Sequence, residues 1–257
     1  MVWRGILRAL QMAVNLVTAL ALLLCGSFGA YALWDNAQVL ASASDVQAEL
    51  LKWKPAAIDE EESEPDNGEA FAQLRRINPD VCGWITMDGT GIDFPVLQGP
   101  NNLSYISRDV FGNFSLAGSI FLDSRDDPGF GQRYALLYGH HMADGNMFGD
   151  LDRYLEEAFF AEHTTGQLIL PDRVYRLEVV ATLVTGASDR NIFDPEYVRA
   201  NMADWEAVVL EEALLLREDL PELGTEGRIL ALSTCSSEFT DARTVVLTRM
   251  ERVEQEE

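Results

Sequence analysis

The 257-residue sequence is short of cysteine, of histidine and of positive charge. Three cysteines (Cys25, Cys82 and Cys235) are too few for a disulfide scaffold. Three histidines (His140, His141 and His163) argue against a multi-histidine metal centre. Basic side chains number 19 against 42 acidic ones, a formal net charge of −23. Such a surface repels phosphate backbones, so no nucleic-acid partner is expected. What is present is ordinary in bulk: 47% apolar and 24% charged residues make a globular composition and not a disordered one. The length allows one large domain with appendages, or two small ones.

Charge is also missing locally. From Met12 to Trp34, 23 residues, no side chain is charged. At ~1.5 Å per residue a helix there is about 34 Å long, enough for a ~30 Å hydrocarbon core. Arg4 and Arg8 precede the run and Asp35 follows it. Basic flanks stay cytoplasmic, so the expectation is a single-pass plasma-membrane protein with a cytoplasmic N-terminus and its bulk outside the cell. A cleaved signal peptide competes, because Ser27, Gly29 and Ala30 are small. The run is nevertheless longer than the roughly 7–15 residues of a signal core, which favours a retained anchor. Cys25 reads as an apolar residue of that helix, since Leu24 stands where a lipoprotein signal needs a small residue.

Three regions are therefore expected: a tail and anchor over residues 1–34, a juxtamembrane helix and acidic linker over 35–68, and one extracytoplasmic domain over 69–257. Residues 59–69 hold seven acids and no base, broken by Pro65 and Gly68, and cannot bury a core. Residues 70–257 carry 15 basic and 32 acidic side chains, a net −17, so the acidity belongs to the folded part as well. It suits the solubility of an exported surface.

Beyond the linker a short helical pattern over 69–77 ends at Asn78-Pro79-Asp80. Strands are predicted over 84–87 and 92–97, with Pro95 marking an edge or a bulge. Further strands are predicted over 119–122, 134–138, 167–170, 174–183, 228–233 and 243–250. In the sixth of these eight segments, 174–183, Tyr175, Leu177, Val179, Ala181 and Leu183 alternate onto one face. Met202, Trp205, Val209, Ala213 and Leu216 form an apolar stripe at helical spacing between Pro195 and Pro221. Eight closely spaced strands predict a mainly β fold, a closed barrel with helical additions.

Two apolar strands end in residues able to do chemistry. Cys235 follows Ile229-Leu230-Ala231-Leu232-Ser233-Thr234, at the point where a rigid scaffold presents a functional side chain. Taken alone, a cysteine there is as readily small packing as a nucleophile. Cys82, between Val81 and Gly83, reads as structural; a Cys82–Cys235 disulfide would disable the better nucleophile. His140 follows Leu136-Leu137-Tyr138-Gly139 and reads equally as a strand cap or a cleft residue. His140 and His141 point opposite ways in extended chain, so they do not share a metal. His163 reads as a helix-end residue. Arg243 opens the strand after Cys235, where a guanidinium can hold an oxyanion or substrate carbonyl. It reads equally as a surface arginine paired with Glu238 or Asp241.

The stretches Tyr138-Gly139-His140-His141-Met142 and Leu232-Ser233-Thr234-Cys235, with Arg243 beyond, resemble the signature of sortases, membrane-anchored cysteine transpeptidases of Gram-positive bacteria. The segments 78–85, 92–98, 118–123 and 144–151 are similar to class B sortases, as is the long helix before the cysteine strand. The resemblance spans residues 78–250. It implies an eight-stranded sortase-type barrel, with Cys235 as nucleophile, His140 as general acid/base and Arg243 as stabiliser of the substrate carbonyl. It further implies Asn102 and Ile106, on a helix after the 96–98 strand, together with Tyr138 and Ser233, as substrate-binding residues. The implied partners are secreted proteins with a C-terminal sorting signal, and an amine of lipid II or the peptidoglycan cross-bridge, or a pilin lysine. An Asn-Pro-x-Thr-type signal fits class B better than Leu-Pro-x-Thr-Gly. No cofactor, no metal and a monomer are expected. An L,D-transpeptidase has its histidine close before the cysteine, whereas here the separation is 95 residues. A papain-type peptidase has the reverse order, and a non-catalytic surface binding domain has no need of all three residues.

Overall fold

The computed structural model describes residues 2–57, 67–143, 145–217, 227–234 and 242–253. They divide into two units, Met1–Ser42 and Ala43–Glu257. The first is part of one long helix, α1 (Val2–Leu50), whose residues 3–38 are exposed throughout. It is long and apolar enough to cross a membrane. The last turns of α1, from Ala43 to Leu50, group with the second unit, so this division falls within the helix. Most of the acidic linker lies outside the described residues.

The second unit contains α2 (Gly68–Ile77), β1 (Val81–Met87), β2 (Asp93–Leu97), β3 (Ile120–Leu122), β4 (Tyr134–Gly139), a 3-10 helix (Gly149–Leu155), α3 (Glu157–Glu162), β5 (Thr165–Ile169) and β6 (Val174–Gly186). There follow α4 (Arg190–Phe193), α5 (Pro195–Ala200), α6 (Met202–Glu212), β7 (Leu215–Leu216), β8 (Arg228–Thr234) and β9 (Ala242–Arg252). The strands pair in the order β5-β1-β2-β3-β4-β8-β9-β6, and β6 pairs back onto β5. Eight strands thus close on themselves, and closure removes the sheet edges that would otherwise recruit another chain. The β2–β3 and β4–β8 pairs are parallel, the rest antiparallel.

Alternation along the strands sorts side chains into an inner and an outer core. Ile85, Phe94, Val96, Leu122, Leu137, Leu177, Leu230, Leu232 and Val246 fill the barrel. Tyr134, Leu136, Ile229, Ala231, Val245 and Leu247 face outward, under Ile192, Val198, Met202, Trp205 and Val209 of the helices. On another side Leu50, Phe71 and Leu74 cover Trp84, Ile169 and Val174. Strands covered on both faces read as continuous apolar runs, which is why β4 and β8 are so strongly hydrophobic. The helical layer is pinned to the sheet by hydrogen bonds as well: Tyr134 Oη donates to the Ile192 carbonyl at 2.9 Å. Trp205 Nε1 donates to that of Asn191 at 2.7 Å.

Two sequence expectations fail here for identifiable reasons. The alternation from Tyr175 to Leu183 does not stay on one face. A bulge between Val179 and Ala181 sends Tyr175, Leu177 and Val179 into the barrel but Ala181 and Leu183 outward under the helices. The helix expected to reach Leu216 ends at Glu212. Beyond β5, the edge of β6 still offers backbone groups, and Leu215 and Leu216 pair there with Thr182 and Ala181 as β7. That region is also segmented. Asp189 and Asp194 accept from the backbone N–H groups of Asn191 and Tyr197, capping α4 and α5 separately, with Pro195 at the start of α5.

Candidate active site

Parallel pairing sets the site. The β4–β8 ladder runs in register to its last pair, Gly139 opposite Thr234. The two chain segments that continue from this pair begin with His140 and Cys235. Cys235 itself, with Glu238 and Asp241, lies outside the described residues. β9 returns alongside β8, and the Arg243 guanidinium (Nη1) donates to the Thr234 carbonyl at 3.2 Å.

A groove of about 470 Å³ opens at this end of the barrel, lined by Asn102, Leu103, Ile106, Phe121, Arg125, Tyr138, His140, Ala187, Phe193, Thr234 and Arg243. It brings together five of the seven residues singled out from the sequence: Asn102, Ile106, Tyr138, His140 and Arg243. Ser233 is not among them. Strand alternation turns it away, and it is fully buried with its hydroxyl donating to the Thr234 carbonyl at 3.3 Å. Its neighbour Thr234 takes the place on the groove wall.

His140 is half-buried, and its Nε2 donates to the Ile106 carbonyl at 2.7 Å. The segment 101–107 is a run of turns and not the expected helix. Asn101 supplies a local alternative to helical bonding, its side chain accepting from the Leu103 N–H at 2.9 Å. The segment is held close to β3 by Gly118, whose φ is +60° and which has the Ile106 and Tyr105 carbonyls packed where a side chain would start.

The opposite wall is built on Asp123, whose side chain has no exposed surface. It accepts from Arg125 Nε at 2.9 Å and Nη2 at 2.8 Å, from Asn102 Nδ2 at 2.8 Å and from Tyr138 Oη at 3.0 Å. Burial by itself would raise its pKa, but the Arg125 side-chain and backbone donors and Asn102 outweigh that and hold the carboxyl below the usual range. Arg125 also donates to the Phe193 carbonyl at 2.7 Å, fastening the groove wall to α4. Tyr138 stacks with Phe121 at 5.2 Å and with Phe193 at 6.4 Å between ring centroids. Sequence reasoning missed Arg125, Phe121 and Phe193. The only signal was Asp123 and Arg125 two apart after a strand, which is too common to single out.

The remaining candidates lie elsewhere. Cys82 is a free, buried thiol donating to the Val96 carbonyl at 3.4 Å, and burial pushes its pKa up to about 12. His163 ends α3, stacks on Phe159 at 3.9 Å and donates through Nδ1 to that residue's carbonyl at 3.2 Å. His141 meets Asp152 at 2.9 Å.

Known proteins resemble this chain in sequence and in fold. A family model described as the sortase domain matches residues 85–251. Sortase B of Staphylococcus aureus is 30% identical over 190 residues, which cover 71% of this chain and 75% of that one. The structure of a Streptococcus pyogenes class B sortase involved in pilus biogenesis is 36% identical, with a TM-score of 0.64, covering 70% of this chain and 97% of the other. That of a Staphylococcus aureus sortase B–substrate complex is 26% identical, with a TM-score of 0.67, covering 86% of this chain and 97% of the other. Sequence match and barrel closure lead to the same conclusion: this chain belongs to the sortase family, among its class B members.

Proposed function

We propose that this cysteine transpeptidase cleaves a C-terminal sorting signal of secreted proteins with Cys235 as nucleophile, His140 as general acid/base and Arg243 as carbonyl stabiliser. The supporting observation is the shared groove of His140, Arg243 and Thr234, the residue before Cys235. The Cys235 thiolate attacks the scissile carbonyl, forming a carbon–sulfur bond and a tetrahedral oxyanion. Arg243 spends one donor on the Thr234 carbonyl. Its fork has others to offer the developing oxyanion without losing charge. Collapse of the intermediate expels the amine of the peptide, which takes a proton from His140. With Nε2–H bound to the Ile106 carbonyl, Nδ1 is the nitrogen that carries this proton. An incoming amine then gives its proton back to His140 and attacks the thioester, releasing Cys235. Asn102, Ile106 and Tyr138 hold the sorting motif, of Asn-Pro-x-Thr type.

The acceptor is an amine of lipid II or the peptidoglycan cross-bridge, which anchors the substrate to the cell wall. The 36% identity to a class B sortase involved in pilus biogenesis supports a second acceptor, a pilin lysine. An uncharged run flanked by Arg4 and Arg8 supports an anchored enzyme with its barrel outside the cell.

The test is cleavage of an Asn-Pro-x-Thr peptide library by the full chain. Cys235→Ala is expected to abolish cleavage and Cys82→Ala to leave it intact. Normal cleavage by Cys235→Ala would overturn the assignment. Offering glycine-terminated and lysine side-chain amines together then separates the two acceptors by product mass.

A further inference from the structure

Behind the groove, a second set of polar contacts joins the three segments that carry its chemistry. Asp152 projects from the 3-10 helix, and its Oδ2 lies 2.9 Å from His141 Nε2. Its Oδ1 accepts from Thr244 Oγ1 at 2.6 Å. The Thr244 backbone N–H donates in turn to Thr234 Oγ1 at 3.3 Å. His141 follows His140, Thr244 follows Arg243, and Thr234 precedes Cys235. None of His141, Asp152 and Thr244 lines the groove.

The contacts fall at the last ladder pairs among the described residues. The β4–β8 ladder ends at Gly139 and Thr234, and the β8–β9 ladder ends at Ser233 and Val245. Among the described residues, Arg243 and Thr244 pair with Thr185 and Val184 of β6. Beyond those last ladder pairs, the side-chain contacts of Asp152 and Thr244 join the segments of His141, Thr244 and Thr234. Displacements of about 1 Å between reacting groups cost orders of magnitude in rate. A carboxylate is suited to the task, because it accepts from two donors at once and such charge-assisted bonds are strong.

We propose that Asp152 and Thr244 are positioning residues, forming a clamp that sets the spacing of the catalytic residues from behind. This rests on the roles given above to Cys235, His140 and Arg243. The clamp acts through hydrogen bonds, not through shape, and this separates it from ordinary packing of a buried threonine. Thr244→Val keeps the volume and loses the hydroxyl, whereas Thr244→Ser keeps the hydroxyl. Asp152→Ala removes both bonds at a half-exposed position where folding tolerates it.

The experiment uses the full chain in detergent micelles. It follows iodoacetamide modification of Cys235 by peptide mass spectrometry, kcat and KM on a fluorogenic peptide with an Asn-Pro-Ala-Thr core, and thermal midpoints. Thr244→Val and Asp152→Ala are expected to lower kcat about tenfold or more with KM changed less than about twofold, and to slow Cys235 modification, while Thr244→Ser stays near wild type. Thermal midpoints stay within a few degrees of wild type. Wild-type kcat and modification rate in Thr244→Val would overturn the clamp, as would equal impairment of Thr244→Ser and Thr244→Val. Cys235→Ala is run alongside. If it still cleaves, the catalytic assignment itself fails; if it is inactive while Thr244→Val behaves as wild type, only the clamp fails.

Discussion

Asp123 has no exposed side-chain surface and yet holds three groove residues, Arg125, Asn102 and Tyr138. Its depressed pKa has a definite consequence for stability. A carboxyl held below its unfolded value contributes fully above about pH 4, and the contribution is lost as pH falls through the folded value. Asp123→Asn is expected to cost about 1–3 kcal/mol at pH 7, because Arg125 then loses the nearer of its two charged partners, keeping Asp194 at 3.6 Å. The gap in thermal midpoint between wild type and Asp123→Asn should close below about pH 4, which a pH series of melts measures. Cys82 gives the opposite case. Its pKa of about 12 and its burial predict no modification by iodoacetamide in the native protein at pH 8, whereas denaturation should expose it. Peptide mass spectrometry before and after denaturation checks this. At this scale the residues proposed for catalysis could be picked out, because Cys235, His140 and Arg243 flank apolar strands in a recognisable order. Asp123 and Arg125 were not, because acid–arginine neighbours are common and only burial gives this pair its role.

Elements place those residues, and their joints are where sequence patterns mislead. β6 changes face at its bulge without any sign in its apolar periodicity, because Val180 is as apolar as its neighbours. The Leu214-Leu215-Leu216 run continues a helical stripe, but the free upper edge of β6 takes it as a strand. The contact between β3 and the 101–107 turns depends on Gly118, whose positive φ and close carbonyls leave no room for a methyl group. Gly118→Ala is expected to cost about 1–3 kcal/mol and to shift the Ile106 carbonyl that holds His140. Cleavage rate should fall more than a stability-matched variant such as Val209→Ala, which lies under the distant face of α6. Paired melts and peptide-cleavage assays test the difference.

For the whole molecule, the barrel unit carries its own closed sheet and its own cores. The uncharged run of residues 12–34 belongs to the other unit. A chain of residues 43–257 is therefore expected to be soluble without detergent and to melt within a few degrees of the full chain, as checked by calorimetry. Removing residues 43–50 as well should lower the midpoint, because Ala43 and Leu50 belong to the buried cores.

By itself the sequence determined an uncharged run long enough to cross a membrane, the number of strands around the barrel, and which strand ends bear cysteine, histidine and arginine. Those features depend on composition and on spacing along one chain, and apolar runs, turn residues and charge gaps report them directly. The tertiary structure alone decided that β4 and β8 run side by side although 88 residues separate Gly139 from Arg228 in the chain numbering. It also decided that Thr234 and not Ser233 faces the groove, and that Asp123 gathers Arg125, Asn102 and Tyr138 on its wall. Pairing partners, bulges and burial depend on which distant surfaces meet, and no local pattern encodes that meeting.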